Sequence, residues 1–135
     1  MKVTVDTNVL VRGIVRDDES QARTAERVLR QATLIAVTLP TLCEFVWVLR
    51  SLYDLPDADI AAAVQTLLTT ANVVCNRPAA EAGLAMLQAG GDFADGIIAH
   101  EGAWLGADTF VSFDREAVSL LRKHGHPAKL LRAAK

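Results

Sequence analysis

The sequence predicts a three-layer α/β/α domain with a mainly parallel central sheet. Short runs of β-branched residues alternate with stretches of helical periodicity, which is the pattern of strand–helix–strand units. The chain has 135 residues and shows no internal repeat, low-complexity tract or linker, so we expect one domain over residues 1–135. Aromatic residues make up only 5% of the sequence, and the core should therefore consist mainly of aliphatic side chains.

The first part of the chain begins with a strand followed directly by a helix. A β-branched run at residues 2–5 stops at Asp6, and apolar residues at helical spacing follow from Val9 to Ile14. The elements predicted up to residue 75 are strands at 2–5, 34–37 and 72–75 and helices at 9–14, 19–32, 40–52 and 57–68.

Glycines and prolines mark the boundaries of the later elements. Pro78 suits the start of a helix that Gly90 and Gly91 end, and Gly106 follows the end of the next helix. The elements predicted here are helices at 78–89, 93–105 and 115–124 and strands at 109–113 and 128–131.

Composition and charge exclude several classes of protein. The net charge of −2 argues against a protein that coats nucleic acid by bulk electrostatics. Cys43 and Cys75 show neither the spacing of a zinc site nor a Cys-x-x-Cys pair, so buried thiols are expected. No secretion signal and no membrane span are visible, and a cytoplasmic location is the expectation.

Acidic residues close two of the predicted strands. Asp6 and Asp114 follow strands, and ligands of parallel α/β sheets bind beyond the carboxyl ends of the strands. Each aspartate could equally be the N-cap of the helix that follows it. Glu44 lies within an apolar helix, so either it points to solvent along a narrow face with Thr41 and Ser51, or a positive group offsets its burial.

Asp92 and Asp95 lie one turn apart at the start of a helix. They could be the N-cap and the third residue of a capping box. If the strands that precede Asp6 and Asp114 are neighbours, the carboxylates of Asp92 and Asp95 would instead lie close to those of Asp6 and Asp114. Without a cation, these negative charges would repel one another strongly. Oxygen ligands suit Mg²⁺ or Mn²⁺, and such a site suits phosphodiester hydrolysis by metal-activated water, without a protein nucleophile.

Four segments, at residues 5–10, 44–49, 92–99 and 112–115, resemble those of PIN-domain ribonucleases, specifically the VapC-type toxins of toxin–antitoxin pairs. The resemblance implies a PIN-like fold and an Mg²⁺- or Mn²⁺-dependent endoribonuclease that cuts single-stranded or loop regions of RNA. It also implies a homodimer and a small antitoxin that blocks the acidic cleft. The residues that it assigns to catalysis and metal binding are Asp6, Glu44, Asp95 and Asp114, with Asp92 as an additional acid near the metal and with Asn8 and Ser112 orienting the carboxylates.

The chain departs from similar proteins at Gly96 and His100, where alanine is common. A glycine inside a helix costs about 1 kcal/mol relative to alanine. Both positions lie beside the proposed metal acids, so we expect them to alter or weaken activity. His100 is interpreted as a partly exposed helix residue, because hard cations prefer oxygen ligands.

Basic and aromatic residues near the acids are candidates for RNA contact. The cationic candidates are Arg12, Arg16, Arg50 and Arg115, each of which could also be solvated surface charge. Trp47 and Trp104 could stack on bases, but their helical spacing among aliphatic residues favours the core.

Three other functions stay open at this stage. A phosphoacceptor receiver domain also has an acidic metal pocket, but that class needs adjacent acids after the first strand and a lysine after the last strand. Here Asp6 stands alone, and no lysine follows Phe113. A catalytically idle PIN-like domain would only bind a partner, with its acids acting as caps. A phosphatase with a nucleophilic first-strand aspartate would need a second aspartate where the chain has Asn8.

Overall fold

The computed structural model describes residues Met1–Ala134, and this part of the chain contains seven helices and five strands. Helices alternate with parallel strands, which confirms the predicted α/β class and agrees with a three-layer α/β/α fold. Contacts divide the chain into two compact units, Met1–Arg77 and a second that starts at Pro78. We call them the N-terminal unit and the C-terminal unit; a single domain over residues 1–135 stays a prediction.

The N-terminal unit contains a three-stranded parallel sheet in the order β1-β2-β3. In register, Val3 lies opposite Ile35, and Ile35 lies opposite Val73. Because all three strands run the same way, Asp6 follows β1 at the carboxyl edge of this sheet. The elements are β1 (Lys2–Thr4), α1 (Thr7–Ile14), α2 (Glu19–Gln31), β2 (Leu34–Ala36), α3 (Leu39–Ser51), α4 (Asp57–Thr69) and β3 (Val73–Val74).

Aliphatic side chains fill the core of this unit, as the composition predicts. Leu10 of α1, Ile35 of β2 and Ile60 of α4 are almost completely buried, and Phe45 of α3 is the one aromatic residue among the largest of them in this unit. Helix α1 packs against α2 and α3, and α3 packs against α4. Burial of such side chains contributes about 1.5–3 kcal/mol each, so this packing holds the strand ends in place.

The C-terminal unit is built around a smaller parallel sheet in which β4 pairs with β5. Helix α7 connects the two strands and packs on both. One cluster of its core is formed by Met86, Ala99, Val118, Leu121 and Ala128, and the aromatic ring of Phe93 is also almost completely buried. The elements are α5 (Arg77–Gln88, which begins at the unit boundary), α6 (Phe93–Trp104), β4 (Phe110–Ser112), α7 (Arg115–Lys123) and β5 (Ala128–Leu130).

The tryptophans and cysteines differ from their predicted burial. Trp47 is 58% exposed and Trp104 is 78% exposed, so the interpretation of both indole rings as core residues is wrong. Cys43 and Cys75 are partly buried thiols. Within residues Met1–Ala134, no helix is long and apolar enough to cross a membrane.

Candidate metal centre

Asp6 is the first of the predicted metal residues along the chain. It is the N-cap of α1, where its Oδ1 accepts a hydrogen bond from the backbone N–H of Thr7 at 2.7 Å. The alternative interpretation of Asp6 as a cap is therefore confirmed. A cap uses one carboxylate oxygen, so this exposed side chain can still offer its second oxygen to a cation.

Glu44 lies in the middle of α3 and is exposed to solvent. It shares a helix face with two other exposed residues, Trp47 and Ser51, at i+3 and i+7 spacing. Of the two alternatives for Glu44, the one in which it points to solvent is confirmed, and the one in which a positive group offsets its burial is wrong, because α3 turns Glu44 outward while its apolar face packs inward. The proposed metal role of Glu44 then depends on the family resemblance alone.

The other three acids belong to the C-terminal unit, and two of them are caps. Asp92 is the N-cap of α6 and accepts a hydrogen bond from the N–H of Ala94 at 2.8 Å. Asp114 is the N-cap of α7 and accepts hydrogen bonds from the N–H groups of Glu116 at 2.9 Å and Ala117 at 3.2 Å. Both carboxylates are exposed and lie at helix N-termini, where negative charge is favoured.

Asp95 behaves differently from the two caps. It is the third residue of α6 and is half-buried. Burial raises the pKa of its carboxyl group, and the negative charges of Asp92 and Asp114 raise that pKa further. Three carboxylates of this unit, from α6 and from the start of α7, thus act on one another, and a bound cation would relieve the repulsion. We call Asp92, Asp95 and Asp114 the acidic group.

A complete set of metal ligands is not already assembled by the described side chains. In residues Met1–Ala134, no group of three or more His, Cys, Asp or Glu side chains is arranged so that it could hold a metal ion. Asp92 and Asp114 each direct an oxygen to their own helix N-terminus, which limits how far they point toward a shared centre. The chemistry of the donor set nevertheless fits Mg²⁺ or Mn²⁺, because all five predicted ligands offer carboxylate oxygen and Mg²⁺ retains several waters.

The two residues predicted to orient the carboxylates differ in their contacts. The Ser112 hydroxyl accepts a hydrogen bond from the backbone N–H of Asp114 at 2.9 Å. Ser112 therefore holds the backbone at Asp114 rather than its carboxylate. Asn8 is exposed in the first turn of α1, and its side chain forms no hydrogen bond within the described residues.

Three of the four candidate arginines already have acidic partners within the N-terminal unit. Arg12 pairs with Asp17 at 2.8 Å, Arg16 pairs with Glu19 at 3.1 Å and also with Glu26, and Arg50 pairs with Asp57 at 3.0 Å. Arg115, in contrast, is exposed at the start of α7 and forms no ion pair within the described part of the chain. It is the candidate arginine most available to RNA.

The glycine beside the acidic group has a structural role that its sequence context did not reveal. A Cβ atom on Gly96 would lie 2.4 Å from the carbonyl oxygen of Ala82 and 2.9 Å from the Cα of Gly83. Helix α6 thus approaches the backbone of α5 so closely that only glycine fits. The cost of this glycine to the helix therefore accompanies a packing requirement, because the absent side chain allows the close approach; an effect of Gly96 on activity stays a prediction.

His100, the second departure, is half-buried on α6, which agrees with a partly exposed helix residue. Its Nε2 atom is buried and has no hydrogen-bond partner in the described residues. No metal-ligand group includes it there.

One exposed aromatic side chain near the acids was missed by the sequence analysis. Phe113 is 69% exposed and directly precedes Asp114. Residues 110–113 alternate between half-buried and exposed, as a strand with one open face does. That alternation was the available signal, but a run of apolar residues does not reveal which face is covered.

The fold and the acidic group together define an α/β protein with a candidate site for a divalent cation. A comparison with models of protein families matches the PIN domain over residues 3–123, and the chain belongs to the PIN domain family. PIN domains are generally nucleases, and they typically use divalent metal ions. A comparison with curated proteins finds no match.

Proposed function

We propose that this chain is a divalent-metal-dependent endoribonuclease and acts as the toxin of a toxin–antitoxin pair. The observation that carries the nuclease part is the half-buried position of Asp95 at the start of α6, near the carboxylates of Asp92 and Asp114. Burial and these two charges raise the pKa of its carboxyl group. Membership of the PIN domain family supplies the class of reaction. The VapC-type toxin role is supported by the resemblance of four segments that occur in the family's order.

Asp6, Glu44, Asp95 and Asp114 are the proposed catalytic residues, and together with Asp92 they would hold Mg²⁺ or Mn²⁺. The ion would supply positive charge to the scissile phosphate and lower the pKa of water at the site. The contribution of the chain is to present carboxylate oxygens at helix N-termini, where capping hydrogen bonds hold Asp6, Asp92 and Asp114 in place. Because the N–H groups take up one oxygen of each cap, these side chains are oriented before any ion binds.

Arg115 is the proposed phosphate contact nearest the site, because it follows Asp114 directly and has no acidic partner in the described residues. Arg12, Arg16 and Arg50 would have to exchange a present acidic partner for a phosphate. Asn8 and Ser112 are proposed to position the acids beside them. The antitoxin, the homodimer and the cytoplasmic location belong to the proposal through the resemblance, and a neighbouring reading frame that encodes a small antitoxin would support it.

A catalytically idle PIN-like domain that binds a protein partner is the second candidate. The capping roles of Asp6, Asp92 and Asp114 favour it, since a cap alone explains an aspartate at each of these positions. Titration calorimetry with Mn²⁺ separates the two candidates. Binding that is lost in Asp95→Asn supports the nuclease, whereas absence of binding by the unaltered protein supports the idle domain.

Cleavage of an end-labelled hairpin RNA in Mg²⁺ or Mn²⁺ tests the activity directly. We expect Asp95→Asn to reduce the cleavage rate by at least about 100-fold, because it removes a charged ligand and leaves a side chain of the same shape. Asp108→Asn is the matched control, since Asp108 is an exposed aspartate of the same unit outside the acidic group. Retained cleavage by a clean preparation of Asp95→Asn would contradict the proposal.

A further inference from the structure

Strand β4 has one covered face and one open face. Phe110 and Leu130 pack against the core of the C-terminal unit. Val111 is 53% exposed, and Phe113, which directly follows β4, is 69% exposed. Because successive side chains of a strand point to opposite faces, Val111 lies on the face that the core does not cover. Phe113 lies just past the end of the strand, in a turn where the Ser112 hydroxyl accepts a hydrogen bond from the backbone N–H of Asp114.

The side chain of Lys129 lies beside Val111 on the same side of the sheet. Val111 is in register with Lys129 of β5, and residues paired in a parallel ladder point to the same side of the sheet. Lys129 is exposed, whereas its neighbours Ala128 and Leu130 are buried and half-buried. The pairing continues past the end of β5, where the N–H of Leu131 donates to the carbonyl oxygen of Ser112 at 2.7 Å. Val111 and Lys129 therefore share one face of the sheet, and we call these two residues, together with the exposed Phe113 at the end of β4, the open strand face.

The position of the open strand face connects it with the acidic group. Phe113 directly precedes Asp114, whose charge acts on Asp95. A phenyl ring has no polar atom, so an occupant must offer it an apolar or aromatic surface. Lys129 and Arg115 are exposed cations that form no ion pair within residues 1–134. A ligand with flat aromatic groups and regularly spaced negative charges satisfies both requirements, and single-stranded nucleic acid has this chemistry.

We propose that the open strand face is a stacking platform for an unpaired base of single-stranded RNA, beside the acidic group. Phe113 receives the base, and Lys129 contacts a neighbouring phosphate. The inference rests on the proposed function, since it takes RNA to be the substrate. It adds the residues that receive an unpaired base: RNA in a duplex keeps its bases stacked inside the helix, so the Phe113 ring is offered to unpaired segments.

Binding measured without cleavage tests the platform separately from the nuclease activity. The probe is fluorescein-labelled oligoadenylate, followed by anisotropy in the presence of EDTA, with an oligoadenylate–oligouridylate duplex for comparison. We expect Phe113→Ala to weaken single-strand binding about five- to tenfold and to leave duplex binding unchanged. Phe113→Tyr should restore single-strand binding, because the ring is kept. Lys129→Gln should lower the slope of log affinity against log salt by about one.

Two matched controls show whether any exposed residue of the same kind has these effects. Trp104→Ala removes a more exposed aromatic ring of the same unit, and Lys123→Gln removes an exposed cation from the end of α7. Neither should reproduce the effect of its counterpart on the open strand face.

The outcomes separate failure of the platform from failure of the proposed function. Unchanged single-strand affinity in Phe113→Ala overturns the platform even if the unaltered protein cleaves RNA, and so does absence of oligoadenylate binding by the unaltered protein. Loss of affinity in Phe113→Ala supports the platform even if no cleavage is found. If Phe113→Ala instead changes only the oligomeric state in size-exclusion chromatography, the face binds a second copy of the chain and the platform is overturned.

Discussion

The pKa values of acidic side chains are shifted in opposite directions in the N-terminal and C-terminal units. In the N-terminal unit, the pKa of Asp17 is lowered by a hydrogen bond from the Tyr53 hydroxyl and then by Arg12. The pKa of Glu19 is likewise lowered by Arg16. In the C-terminal unit, residues 78–134 form no ion pair, and the pKa of Asp95 is raised by burial and by like charges.

This difference separates structural acids from acids that need an external partner. A carboxylate with an arginine beside it is stabilised by the chain itself. The acidic group has no arginine or lysine partner within the described residues. Asp92 and Asp114 are held by backbone N–H groups, whereas a cation would be needed to offset the repulsion at Asp95. Asp17 and Glu19, which lie near Asp6 in sequence and have arginine partners, are not among the five acids named by the resemblance.

The largest expected effect is stabilisation of the protein by metal. Mn²⁺ at about 100 times its dissociation constant should raise the free energy of unfolding by about 2.7 kcal/mol. Asp114→Asn should abolish most of this gain, while asparagine still caps α7 as well as aspartate does. Asp17→Asn should keep the gain. Scanning calorimetry with and without Mn²⁺ measures all three proteins, and an equal gain in Asp114→Asn would break the contrast between the units.

The next effect concerns the packing that holds α6, and with it Asp92 and Asp95, against α5. In Gly96→Ala the new Cβ meets the carbonyl oxygen of Ala82, and such overpacking costs about 1–3 kcal/mol. The gain in helix propensity offsets about 1 kcal/mol of this cost, so we expect the free energy of unfolding to fall by up to about 2 kcal/mol. Gly102→Ala is the control in the same helix, since a Cβ there meets nothing within 4 Å. It should be stabilised by about 1 kcal/mol, and urea unfolding of both variants checks the opposite signs.

The smallest effect is electrostatic and has opposite signs in the two units. The folded-state pKa of Asp95 is raised above its ordinary value of 3.8, so the stability of the metal-free protein falls as the pH rises through the interval between the two values. Asp95→Asn should therefore stabilise the metal-free protein at neutral pH, by about 0.5 kcal/mol for like charges on neighbouring turns. The difference should vanish in acid, where Asp95 is protonated in both the folded and the unfolded state.

Asp17 should show the opposite dependence of stability on pH. Its pKa is lowered in the folded state, so its contribution to stability is present above its ordinary pKa and is lost as the pH falls through the lowered value. Asp17→Asn should lower the melting temperature at neutral pH and converge with the unaltered protein in acid. Thermal scans from neutral to acidic pH without metal measure both variants, and a shift of the same sign in both would contradict the comparison.

Interactions between residues close in sequence were easier to predict than interactions between residues far apart in sequence. The helix caps at Asp92 and Asp114 were predictable because a cap bonds to N–H groups within three residues. The partner of Arg50 lies seven residues away, and that of Asp17, the Tyr53 hydroxyl, lies 36 residues away. Such pairs depend on how helices pack, so the sequence could not show that Arg50 and Asp17 are already engaged. The pair of Arg16 with Glu19, three residues away, was within reach of local analysis and was missed.

The amino-acid sequence by itself determined the order of strands and helices, the caps and the positions of acids at strand ends, because these depend on local periodicity and on hydrogen bonds between near neighbours. Tertiary structure decided which side of each element meets the core. It turned Glu44 and Trp47 outward, left Phe113 open and brought α6 so close to α5 that Gly96 became necessary. The physical reason is that burial and close contact are properties of two surfaces, and a single segment of sequence specifies only one of them.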